Sequence, residues 1–293
     1  MAADPSTTRG LDPDSLTREG PVDTSASWSE RDAVCYALAA GFGRDELERS
    51  ELPYLFEGRG LLVMPTFAAL VVDDSWLDAS GWQRKHARLT ARELEVFSPM
   101  LPRDSIDIAS EITDVWPDTN GEGCHIRFRS EARRSRDRRA LFALATCYHA
   151  RADRLAQAAP TAATVTVENT VPERDPDFLL ALTPGFDSAV LYRWLAAGPD
   201  WHIDTDAARH AGYDRPVVPG DCLVGSVCRA ILATVCDYDP TLLRGLHVTL
   251  HSAVCIDTDL RVRMWQDGPV VSFDVTAAPQ QTRVLTGRCT LTA

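Results

Sequence analysis

The sequence predicts an α+β protein built twice over, each half a long helix laid on an antiparallel sheet. Three observations carry this. Blocks of alternating or short apolar β-like character cluster in two groups, RELEVFSPML through ALFALATCYHARA and GLHVTLHSAVC through RVLTGRCTLTA. Each group is preceded by a segment whose apolar residues recur at helical spacing. A small-residue, proline-containing stretch, AQAAPTAATVTVENTVPERDP (156–176), lies between them and reads as a linker. A chain of 293 residues allows about 130 residues per half, enough for each to bury a core.

Residues 1–26, rich in Pro, Ser, Thr, Asp and Gly, read as a flexible tail, with structure expected to begin near Ser27. The stretch SWSERDAVCYALAAGFG then opens with a cap at Ser27 or Ser29 and acidic residues Glu30 and Asp32 in the first turn. Val34, Leu38 and Phe42 follow helical spacing, and Gly41 and Gly43 end the helix. LLVMPTFAALVV (61–72) is apolar throughout but contains Pro65, so it suits a broken helix or a helix entry better than a central strand. Four strand-like segments complete the first half, 27–160. In the second half, 161–293, residues 178–195 begin with strand character. IDTDAARHAGY and CLVGSVCRAILATVC are helical, and the remaining blocks are strands.

Composition narrows the function classes. A formal net charge of −12 argues against nucleic-acid binding, which wants a basic face. No apolar run approaches the ~18 residues of a membrane span, and the N-terminus has no secretory apolar core. Eight cysteines contain no CxxC pair, so neither a zinc site nor a cofactor motif is expected, and a reduced cytoplasmic protein is the reading. Lys85 is the single lysine among 30 basic residues, a bias typical of GC-rich, actinobacterial-type genomes.

The segment YRWLAAGPDWHIDTDAARHAGYDRPVVPGDCLVG carries the sharpest signal. It resembles the hydratase 2 motif of the MaoC-like hydratase/dehydratase family, which reads Tyr-Arg-Leu-Ser-Gly-Asp-x-Asn-Pro-Leu-His-Ile-Asp, then an Ala-rich helix, then Pro-Ile-x-His-Gly-x-Cys. Tyr192, Arg193, His202, Ile203, Asp204, Gly212, Tyr213, Pro216, Gly220 and Cys222 match without a gap. In the first half, SERDAVCYALAAGFG, LPYLFEG and LLVMPTFAAL are similar to the family's first repeat, which has lost its catalytic residues and shapes an acyl-chain pocket. The resemblance spans residues 27–293 and implies a tandem (double) hotdog, each sheet wrapped around its helix.

It also implies a chemistry. An aspartate and a histidine flank the thioester of a coenzyme A- or carrier-protein-bound acyl chain. Water is added to or removed from a trans-2-enoyl group by general acid–base catalysis. An N–H at the position of Gly220 polarises the carbonyl as an oxyanion hole. The sequence departs at three places: Ala197 stands at the aspartate, Pro199-Asp200 at the Asn-Pro, and Pro219 at the histidine before Gly220. His202 and Gly220 are the central residues retained. Asp200, two residues before His202, shares its face if the segment is extended and diverges by about 200° if helical. Asp221 is a second carboxylate beside the carbonyl site, or a turn or cap residue. Tyr192 and Arg193 lie in the matching segment as substrate-side or structural supports.

The arginine run ARRSRDRRA (132–140) reads as a solvated hairpin tip or as a phosphate grip. Three functions stay open: a hydro-lyase with altered machinery, a cyclase or isomerase acting on a polyketide-type intermediate in the same pocket, and a non-catalytic partner of a MaoC-like chain. A homodimer or such a pairing stays equally open.

Overall fold

The structure is a computed structural model and describes residues 20–57, 60–80, 87–117, 123–151 and 171–292. Most of the expected tail and the core of the expected linker, as well as Lys85 and His86, lie outside the described residues.

The first element corrects the expected start. Strand β1 (Val22–Trp28) pairs antiparallel with β3 (Asp104–Pro117) over seven residues, from Val22 opposite Ser110 to Trp28 opposite Asp104. Its small polar residues alternate inward and outward at a sheet edge, where little burial is needed, so composition alone read it as tail. Helix α1 (Glu30–Ala39) follows. Ser29 caps it in a reciprocal box with Asp32, whose Oδ2 accepts from the Ser29 N–H and Oγ, each at 2.8 Å. Pro65 acts as a helix entry: a 3-10 turn at Pro65–Phe67 runs into helix α2 (Ala68–Val71). Strands β2 (Arg88–Val96), β4 (Gly123–Arg134) and β5 (Ala140–Arg151) complete the first half with β3.

The second half repeats the plan. Strand β6 (Phe178–Leu182) leads into helix α3 (Phe186–Ala196), then α4 (Thr205–His210) and the long α5 (Gly220–Val235). Strands β7 (Leu243–Leu250), β8 (Leu260–Asp267), β9 (Val270–Ala277) and β10 (Thr282–Leu291) follow.

All ten strands form one antiparallel sheet in the order β1-β3-β4-β5-β2-β7-β10-β9-β8-β6. The halves meet at the β2–β7 seam, where Ala91 to Glu95 pair with Thr249 to Gly245. Helix α5 buries Cys222, Leu223, Val224, Val227, Cys228 and Ile231 in a core shared with Tyr36, Phe67, Phe142 and Phe273. At about 1.5–3 kcal/mol per large apolar side chain, this contact outweighs any local helix preference. In the first half the helical layer is divided between α1 and the short Pro65–Val71 unit. The arginine run is a hairpin tip. Arg134 pairs with Asp104 at 2.6 Å, and Arg138 pairs with Asp107.

Candidate active site

The site lies where α5 begins. Pro216–Val218 is pinned on two sides. Ile256 N–H donates to Pro216 O at 3.0 Å, Val218 N–H to Val254 O at 2.7 Å, and Val217 N–H to Trp201 O at 3.3 Å. Pro219 then caps α5 and Gly220 is its first residue. The first four N–H groups of a helix have no acceptor within it, so the Gly220 amide is a free donor in kind. A Cβ at Gly220 would come within 3.2 Å of Leu89 Cδ2 and 3.3 Å of Leu250 Cδ2. The glycine therefore serves close approach: the backbone here sits directly under the two seam strands.

His202 ends a 3-10 turn, Asp200–His202. Its Nδ1 lies 2.8 Å from the Val217 carbonyl oxygen. A carbonyl only accepts, so Nδ1 carries the proton and Nε2 presents its lone pair. Burial lowers the pKa of the ring, the Val217 bond raises it, and the Arg193 charge lowers it further, with a net downward shift. His202 is thus a neutral imidazole of fixed tautomer, half-buried, and tied to the segment that leads into Gly220.

Asp200 requires a correction. The 3-10 turn has about three residues per turn, so side chains two apart point about 120° away from each other and the extended geometry is absent. The Asp200 carboxylate, 69% exposed, pairs with Arg193 on the outside of α3. Asp204 caps α4, its Oδ1 accepting from Ala207 N–H at 2.7 Å. Ala197, at the end of α3, is left-handed at φ 46° and ψ 46°.

Asp221 is neither a solvated turn residue nor a simple cap. Its two oxygens accept from Nε and Nη2 of Arg92, both at 2.7 Å. Arg92, on β2 of the other half, is 5% exposed and also donates to Thr146 Oγ1. Burial alone would lower the Arg92 pKa; the Asp221 carboxylate, together with Tyr148 and Tyr192, turns the net shift upward. The fork-to-fork pair bolts the first turn of α5 to β2. Three tyrosines surround it. Tyr148 lies 6.0 Å from Arg92 by ring centroid and donates to Asp74 Oδ2 at 2.6 Å. Tyr36 donates to Thr66 O at 3.0 Å. The Tyr192 ring lies 6.3 Å from that of Tyr36, tilted by 56°. Burial first, and the Asp221 charge after it, raises the Tyr192 pKa well above the ordinary phenol value, so its hydroxyl stays a donor.

No protein-family model matches the chain. It is similar to the enoyl-CoA hydratase ChsH3 of Mycobacterium tuberculosis, with 27% identity over 271 residues covering 88% of this chain and 91% of that one. A MaoC-like dehydratase from Phytophthora capsici superposes with a TM-score of 0.82 at 17% identity, covering 96% of this chain and 98% of that one. A Mycobacterium tuberculosis protein described as a double hotdog superposes with a TM-score of 0.59 at 15% identity, covering 95% and 97%. Over nearly its whole length the chain is similar to proteins named as an enoyl-CoA hydratase and a MaoC-like dehydratase. Its architecture is the double hotdog described for such a solved structure.

Within that MaoC-like frame the fold brings His202 and Gly220 to one place and Tyr192 and Asp221 to another part of the same helix entry. It turns Asp200 away to Arg193. Sequence reasoning missed Arg92, Tyr36, Tyr148 and Asp74, all from the first half. A signal for Arg92 existed: it shares the inward, period-two face of β2 with Leu94, where an arginine needs a buried partner.

Proposed function

We propose that the protein is a hydro-lyase acting on an enoyl or 3-hydroxyacyl thioester, with His202 as its principal acid/base. The observation that carries this is the Nδ1–Val217 bond, which leaves Nε2 unprotonated beside the start of α5. In the hydration direction Nε2 takes a proton from water as the oxygen bonds to the β-carbon. Charge moves to the thioester oxygen, where the Gly220 N–H stabilises the enolate. The imidazolium then returns the proton to the α-carbon, so a single base serves both steps. Tyr192 donates to the substrate from the wall. The Arg92–Asp221 pair holds the Gly220 turn still. Asp200 anchors Arg193 in this reading.

Similarity to enoyl-CoA hydratases over nearly the whole chain supports a coenzyme A thioester as the acyl donor. Substrate preference within that class rests on the first half.

A second reading, cyclisation or isomerisation of a polyketide-type thioester, is favoured by Ala197, which removes the family's carboxylate. Such a reaction draws on orientation and one acid/base group. Incubation with crotonyl-CoA separates the two. Loss of the conjugated double bond in the presence of protein supports hydration. No hydration at any pH overturns it in favour of the second reading.

A further inference from the structure

A cavity of about 280 Å³ opens at the end of the central seam away from Gly220. Val63, Val96, Leu141 and Phe142 contribute to its apolar wall, and Arg139 and Arg244 line it as well. Strand β2 reaches Gly220 through Leu89 and the cavity through Val96, seven residues on. At about 3.3 Å per residue the two places lie roughly 23 Å apart along the strand. Strand β7 runs the opposite way, with Leu250 against Gly220 and Arg244 in the cavity. An antiparallel seam has a local two-fold, and the sequence follows it. Val63-Met64-Pro65 enters the first half's helix as Val217-Val218-Pro219 enters α5. The cavity is therefore the first half's counterpart of the Gly220 site.

Its chemistry differs from that site. On a chain of net charge −12, the neighbouring hairpin arginines Arg134, Arg136 and Arg138 all pair with aspartates. Arg139 and Arg244 have no carboxylate partner among the described residues. Arg139 Nε donates to Ser98 Oγ and Arg244 Nε to Thr292 Oγ1, each at 2.9 Å, which leaves the outer nitrogens of both forks unclaimed. Two guanidiniums over an apolar wall suit a carboxylate on a hydrocarbon chain. The volume of about 280 Å³ falls just below the usual small-ligand range of about 300–1,000 Å³ and is too small for a nucleotide-bearing thioester.

We propose that this cavity binds a free medium-chain carboxylic acid as its anion, head group on Arg139 and Arg244, chain against Val63 and Phe142. The site is separate from the thioester pocket and stands whether or not the chain hydrates thioesters. Calorimetric titration of the full chain with octanoate tests it. The expected result is one saturable site per chain. Its affinity falls about tenfold or more in Arg139→Ala and in Arg244→Ala, and stays unchanged in His202→Ala. Octanol, which lacks the charge, binds wild type at least about tenfold more weakly, a comparison that needs no variant to fold. Absence of saturable binding, equal affinity for octanol, survival of binding in the double arginine variant, or its loss in His202→Ala would each overturn the proposal.

Discussion

At the scale of single residues, the proposed reaction turns on the tautomer of His202. Because burial is the largest cause of its lowered pKa, the imidazole is neutral through the physiological range. A base works in its neutral form. Hydration is therefore expected to hold level at and above neutral pH and to decline only below the ordinary histidine value of 6.5, as the ring protonates. An initial-rate profile of kcat/KM between acid and mildly alkaline pH checks the sign; a limb centred above 6.5 would contradict it. Ala197 offers the complementary test. Its left-handed backbone is costly for alanine and better tolerated by aspartate. Ala197→Asp places a carboxylate at this position without a strained conformation. The expected outcome is an unchanged or raised melting temperature and a hydration rate increased at least about tenfold, from a general acid/base contribution that typically reaches 10²–10⁴.

Elements explain why the site is held where it is. Helix α5 starts under β2 and β7, and its first turn is bolted across the seam by Arg92 and Asp221. Arg92→Leu leaves a largely buried carboxylate, 15% exposed, without its partner. A loss of about 3–5 kcal/mol in denaturant unfolding is expected. Adding Asp221→Leu to that variant removes the orphaned charge and should recover part of the loss, because the pair is coupled. A loss in the double variant equal to the sum of the two single losses would show no coupling. Packing between strands sets a second limit. A Cβ on Gly287 of β10 would sit 2.3 Å from His247 O and 2.4 Å from Phe273 Cζ. Gly287→Ala should therefore cost about 2–3 kcal/mol by overpacking, read as a lower denaturation midpoint.

The whole molecule is one ten-stranded sheet, and this decided how much could be read from sequence. Periodicity and proline placement found β2 to β5 and β7 to β10, and the ungapped run from Tyr192 to Cys222 singled out His202, which the fold ties to Val217, three residues before Gly220. Each of those signals is local. Strand β1 escaped because VDTSASW gains its order from pairing with β3, some eighty residues away. Arg92, Tyr148 and Tyr36 escaped because they reach the site across the seam, a relation that no spacing encodes. For Asp200 the sequence left extended and helical geometries open, and Pro199 leads into a 3-10 turn that aims it at Arg193. With β2 and β7 fused through backbone pairing and a common core, the halves are expected to melt together. A single calorimetric transition whose measured and van't Hoff enthalpies agree would fit; two resolved transitions would separate them.

The most direct test of the central claim is kcat for crotonyl-CoA hydration by wild type and His202→Ala, with correct folding confirmed by circular dichroism. A fall of about 10²–10⁴ is predicted for the variant; wild-type turnover in the variant would contradict the assignment of His202 as the acid/base.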